Sequence, residues 1–187
     1  MGGLVWGIIV LVVVVGIVGF IIAVYNGLVR KRILCDNGWA QVDVQLKRRY
    51  DLIPNLVETV KGYASHESET LEAVIAARTR AVDAGSISEQ AEAENMLTGA
   101  LGRLFAVAEA YPDLKANSNF ASLQEELSST ENKIGFARQH YNDCVAQYTE
   151  ARQTFPSNII AGMFNFAGRE YFEIEEAAAK DAPKVSF

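Results

Sequence analysis

Apolar residues run from Leu4 to Tyr25 interrupted only by glycine. Beyond them they recur every three or four positions. The two patterns predict two kinds of helix. The first stretch holds 22 residues. As a helix it would be about 33 Å long, enough for a hydrocarbon core of roughly 30 Å. Val and Ile are mediocre helix formers in water, but lipid forces every backbone group to bond internally. A cleaved signal peptide would need a basic segment ahead of the run and a shorter apolar core. Neither is found, so Leu4–Tyr25 reads as an uncleaved membrane span.

The second pattern starts with Trp39, Val42, Leu46, Tyr50, Ile53, Val57, Val60 and Ala64, and Leu28 and Cys35 extend its phase backward. Spacings of three and four keep one stripe on one helix face. The anchor should therefore run into this helix with little or no break. Gly27 and Gly38 weaken it locally. Pro54 leaves the carbonyl of Tyr50 without its helical donor and predicts a kink. Gly62 to His66 marks a turn. A second helix carries Leu71, Val74, Ile75, Arg78 and Val82 on one side and ends around Ala84–Gly85. Ser86 with Glu89 spells a capping box for a third helix, with Met96, Leu97, Ala100, Leu101, Leu104, Val107 and Ala108. That helix stops at Tyr111–Pro112. Asn117 or Ser118 caps the fourth, whose stripe runs from Phe120 through Leu127, Ile134, Tyr141, Val145 and Tyr148 to Phe155; Pro156 ends it.

The expected fold is all-α: a single transmembrane helix running into an antiparallel up-down-up-down four-helix bundle, with coiled-coil-like packing and a short apolar C-terminal helix. The boundaries are 1–29 for the anchor, 30–155 for the bundle, 156–172 for the short apolar helix and 173–187 for a polar tail. In that topology Pro156 returns to the bilayer surface. The segment after it, with Ile159, Ile160, Met163, Phe164 and Phe166, would lie in the membrane interface or cover the open end of the bundle.

Charge sharpens this picture. Residues 1–29 carry no charged side chain, so all 17 basic and 23 acidic residues lie beyond the anchor. This excludes a uniformly soluble protein, a disordered chain and a basic nucleic-acid binder. Arg30, Lys31 and Arg32 follow the span directly. Basic residues beside a span stay in the cytoplasm, so the N-terminus should be outside and the bundle inside, with Cys35 and Cys144 as free thiols. Within the anchor, Gly19, Ala23 and Gly27 recur every four residues. They form a candidate face for close helix association, although glycine is common in membrane helices anyway.

Candidate chemistry is sparse. His66–Glu67 begins a zinc-protease motif, but Thr70 stands where the second histidine would be. Neither His66 nor His140 belongs to the Glu-x-x-His pair of a di-iron bundle. Cys144 and His140 are one turn apart, yet Cys144 sits beside the apolar stripe and reads as a buried structural cysteine. Lys47, Arg48 and Arg49 read as a solvated face or a contact for an acidic partner. Arg78, Asn55, Asn132, Arg138 and Asn142 fall on or near apolar stripes. They suggest a hydrogen-bonded network that sets register, or else a partner site. No enzymatic activity, cofactor, metal, nucleic acid or small-molecule substrate is expected.

The stretch from Trp39 to Val57 closely resembles the signature of the LemA family. So do Glu109–Asn117, Asn119–Phe120, Leu123–Gln124, Thr130–Ile134, Ala137–Arg138, Tyr141–Asp143, Phe155–Pro156, Val185–Phe187 and, at the membrane exit, Tyr25–Val29. The resemblance implies a bacterial-type single-pass protein of the cell (inner) membrane with a cytoplasmic helical bundle and no shared catalytic residues. Some relatives are associated with shaping internal membranes and others occur beside membrane proteases. Together the residues and the resemblance suggest a scaffold that contacts the lipid bilayer, forms a homo-oligomer and organises membrane partners. An adaptor for a membrane protease, kinase or other envelope protein is the alternative.

Overall fold

A computed structural model describes residues 2–174. Six helices follow in order: α1 Gly2–Lys61, α2 Ser68–Val82, α3 Ile87–Glu109, α4 Pro112–Lys115, α5 Ser118–Gln153 and α6 Ser157–Met163. The described residues contain no strand. The polar tail expected over 173–187 lies, from residue 175 on, outside the described residues.

α1 is one helix of 60 residues, so the anchor does continue into the first body helix. It also runs through Pro54. Arg78 of α2 supplies the donor that Pro54 lacks: its Nε donates to the Tyr50 carbonyl at 2.8 Å. The expected weak point is thereby satisfied by a side chain from another helix. Ser86 caps α3 by accepting from Glu89 N at 3.2 Å. The Glu89 carboxylate accepts from Gly85 N at 3.0 Å, one residue before the expected cap nitrogen. Asn117 is the cap of α5, accepting from Asn119 N at 2.8 Å and Phe120 N at 3.1 Å. The short helix α4 fills what the sequence pattern left as a turn, with Pro112 in its first turn, where a missing N–H costs nothing.

The chain divides into two compact units. One comprises residues 2–40 together with Gln139–Arg169. The other comprises Gln41–Arg138 and, among the described residues, 170–174. In the first unit Leu28, Cys35, Tyr141, Cys144, Val145, Tyr148, Ile160, Ala161 and Phe166 are buried. At Gly38 α1 and α5 come close: a Cβ built there would lie 3.3 Å from the Tyr141 Cα. Trp39 packs edge-on against Tyr141, ring centroids 5.3 Å apart.

The second unit buries Val42, Leu46, Ile53, Leu56, Val57, Val60, Leu71, Val74, Leu97, Leu101, Leu104, Leu127 and Ile134. Each such side chain contributes roughly 1.5–3 kcal/mol of transfer free energy. Two expectations for α2 are overturned. Ile75 and Val82 are about half exposed, and Ala77 and Ala81 are buried instead. Leu71, Val74, Ala77 and Ala81 keep a strict helical phase, and their small members let α2 approach its neighbour closely. Met96 of α3 is likewise exposed, while Ala93 and Glu94 are buried. Phe155 lies past the end of α5 and is 75% exposed.

Candidate functional site

The span comes first. Within α1 the most apolar window has a mean hydropathy of 3.3, and none of it is buried. A core helix of a water-soluble domain would be covered, so this stretch calls for an apolar solvent. Leu4 and Tyr25 are both exposed. On the candidate association face, Gly19 and Ala23 are exposed and Gly27 is half-buried. Apart from chain neighbours and the helix's own backbone, nothing lies within 4 Å of where a Cβ would stand at either glycine. The face is open to close approach.

The first unit gathers several predicted residues where the span ends. The Tyr25 ring meets Phe164 and Phe166 edge-on, at centroid distances of 4.9 and 5.5 Å. The Arg32 guanidinium lies 5.4 Å from the centre of the Phe166 ring, a cation–π distance. Arg30 and Lys31 occupy the same turn of α1 without a ring contact of this kind. Tyr148 is fully buried and donates its hydroxyl to the Ala167 carbonyl at 2.8 Å. Arg169 pairs with Asp36 at 2.5 Å. The short apolar helix is shorter than expected: α6 stops at Met163, and residues 164–174 are not helical. Asn165 with φ 51 follows it in the left-handed region, which a short polar side chain tolerates. The five predicted segment residues split into two sets. Ile160 and Phe166 are buried, while Ile159, Met163 and Phe164 are exposed.

Cys144 is buried as expected, and its Sγ is 3.9 Å from His140 Nε2. Burial raises the thiol above its ordinary value, helped by the nearby Asp143 carboxylate. Cys35 is raised by burial first and by Cys144 next. A raised thiol is a poor nucleophile at neutral pH.

The second unit contains what the sequence pattern missed. Arg49 is not on a solvated face; it is 3% exposed, and Glu94 is fully buried. Arg49 Nη1 donates to Glu94 Oε2 at 2.9 Å and meets Glu131 Oε2 at 3.0 Å. Its Nη2 donates to Thr98 Oγ1 at 2.9 Å. The Tyr50 hydroxyl donates to Glu94. Gln90 Nε2 donates to the Tyr50 hydroxyl at 2.7 Å and to the Ala81 carbonyl at 3.1 Å. Desolvation pushes the Glu94 carboxyl up, against the opposing pull of Arg49 and the Tyr50 hydrogen bond. Desolvation also raises the Tyr50 phenol, with the Glu94 charge second. The signal was present in the spacing. Arg49 lies three residues after Leu46, and Glu94 three before Leu97, so both sit on the stripes. The rest of the basic run is at the surface: Arg48 pairs with Glu126 at 2.7 Å and Lys47 lies 3.9 Å from Asp51. Beside Arg49 a cleft of about 400 Å³ is lined by Leu101, Phe105, Leu127, Gln124, Glu131 and Asn132, among others.

An all-helical protein whose first helix opens on an apolar, uncovered stretch is a membrane protein built around helix packing. Comparison with known proteins identifies it further. A family model described as the LemA family matches residues 38–187, and the chain belongs to that family. Magnetosome protein MamQ 2 of Paramagnetospirillum magneticum is 27% identical over 170 residues, covering 77% of this chain and 62% of that protein. Protein LemA of Metamycoplasma hominis is 28% identical over 157 residues, covering 80% of this chain and 70% of that protein. MamQ of Magnetospirillum gryphiswaldense is 26% identical over 170 residues. The chain thus spans 62% of the length of the magnetosome relatives it matches.

Proposed function

We propose that this chain is a single-pass protein of a bacterial-type inner membrane that self-associates and acts as a non-enzymatic scaffold for membrane or membrane-bound partners. The observation that carries the reading is α1. One unbroken helix joins an uncovered apolar stretch, with an open Gly19–Ala23–Gly27 face, to a packed body. Open small-residue faces let membrane helices pack backbone to backbone. Arg30, Lys31 and Arg32 favour an orientation with the N-terminus outside and the body in the cytoplasm. The body is an antiparallel four-helix bundle in this reading. Within one unit Cys35 of α1 feels the charge of Cys144 of α5, and Trp39 meets Tyr141. Within the other, Arg48 meets Glu126, and Asn117 Nδ2 donates to the Tyr63 hydroxyl at 2.9 Å. In each pair of contacts one residue number rises as the other falls, as antiparallel neighbours require. The magnetosome relatives are named for the magnetosome rather than for a reaction, which agrees with a structural role.

The test is the mass of the full chain in nanodiscs, read by mass photometry beside cryo-electron microscopy. A defined multimer, lost when Gly19→Ile and Gly27→Ile are combined, is expected. A strict monomer overturns the reading. It would shift attention to an adaptor role, which the cleft beside Arg49 and the exposed Lys47 favour. That role predicts a stoichiometric partner in a crosslinked pull-down, lost on changing Lys47 or Arg48.

A further inference from the structure

We propose that the segment around α6 makes a second membrane contact. The exposed edge formed by Phe155, Ile159, Met163 and Phe164 lies in the headgroup–acyl boundary of the bilayer that Leu4–Tyr25 crosses. The inference rests on that span crossing a bilayer, and adds a surface outside it.

Depth is the first argument. Tyr25 closes the apolar stretch, and tyrosine at such a position sits at headgroup level. The Phe164 ring is 4.9 Å from the Tyr25 ring, so Phe164 shares its depth. Arg32 lies beyond Tyr25 on α1, with its guanidinium 5.4 Å from the Phe166 ring centre. A basic head above an aromatic layer reaches toward lipid phosphates while its stem stays in apolar surroundings.

The second argument is two-sidedness. Ile160, Ala161 and Phe166 are each no more than 5% exposed, whereas Phe155, Ile159, Met163 and Phe164 are 75, 52, 66 and 49% exposed. One side of the segment is already satisfied by the first unit. The other presents Ile159 and Met163 one turn apart on α6, with Phe155 and Phe164 exposed at its two ends, more than scattered surface residues account for. The third argument is polarity. Residues 154–168 carry no charge. The Ser157 hydroxyl is turned inward, 2.6 Å from the Ala151 carbonyl and 2.7 Å from the Thr154 carbonyl. Arg152, Asn158 and Asn165 line a separate cleft of about 580 Å³ with Phe166. Seven helical residues make about 10 Å, too short to cross and suited to lying along the interface.

The experiment places single nitroxides on the full chain in nanodiscs at Met163→Cys, at Val12→Cys as the lipid reference and at Gln139→Cys, an exposed position of the same unit. Cys35 and Cys144 are buried, and the unsubstituted chain gives the labelling background. Collisions with oxygen, which concentrates in lipid, are compared with collisions with a water-borne nickel chelate. The proposal expects the Met163 label to fall between Val12 and Gln139, with oxygen access raised and nickel access lowered relative to Gln139. A Met163 label as wet as Gln139, with Val12 still in lipid, overturns this proposal alone. A label shielded from both probes also overturns it, because a second copy of the chain then covers the edge. Wet labels at both Val12 and Met163 overturn the span and the proposal together.

Discussion

Leu4–Tyr25 and Val42–Val60 are stretches of one helix, and both are rich in Val, Leu and Ile. In the first, nearly every large apolar side chain is exposed. In the second, Val42, Leu46, Ile53, Leu56, Val57 and Val60 are buried, while Val44 is exposed. The first is apolar on every face, whereas the second sets charged residues such as Asp43, Lys47, Arg48 and Asp51 between its apolar ones. A helix that is apolar all round needs a surrounding apolar solvent, whereas a helix with one apolar stripe needs neighbours from its own chain. The second stretch also tolerates a buried charge, Arg49, which the first does not contain. That charge is held because Glu94 meets it.

The comparison can be broken most forcefully at that pair. Arg49→Met leaves Glu94 buried without its cation and should cost about 3–5 kcal/mol, read by denaturant titration of the full chain in mild detergent. The same pair predicts a pH effect. Burial raises the folded Glu94 carboxyl above its unfolded value. The native state then holds the proton to higher pH than the unfolded chain. The stabilisation from this group is complete below the unfolded value, about 4.3, and is lost as pH rises through the folded one. Glu94→Gln should remove that part of the pH slope; an unchanged slope assigns it to another group.

Next in size, Leu46→Ala should cost about 2–5 kcal/mol by leaving a cavity. Val12→Ala in the same assay should stay within roughly 0.5 kcal/mol, as for substitutions away from packed features. Equal losses at the two positions would break the comparison. A smaller loss than that at Leu46 sharpens it: Arg78→Met strips the Tyr50 carbonyl of the donor that Pro54 cannot provide. It should cost about 1–3 kcal/mol, and the Pro54→Ala background, which restores the helical donor, should reduce that loss.

Much of the architecture could be read along the chain because helices are local. Ser86 and Asn117 announced their caps, and the stripe Leu28, Cys35, Val42, Leu46 stayed in phase across the membrane exit, so the continuity of α1 was legible. The candidate site was less so. Arg49 was hidden in a basic run whose other members, Lys47 and Arg48, are at the surface. Gly38 looked only like a weak point in a helix, and the structure makes it the close approach to Tyr141. The apolar segment after Pro156 was found, but not that its residues divide between a buried side and an exposed one.

The sequence by itself determined the apolar N-terminal stretch, the basic cluster beside it, the caps at Ser86 and Asn117 and the stripe phase along α1, since all of these depend on residues within a few turns of one another. Only the tertiary structure decided that Glu94 answers Arg49, that Arg78 completes the Tyr50 carbonyl and that Phe164 rests on Tyr25. Those pairings join residues 45, 28 and 139 positions apart in sequence. They depend on how far each helix slides and rotates against its neighbour. A local periodicity carries no record of that offset.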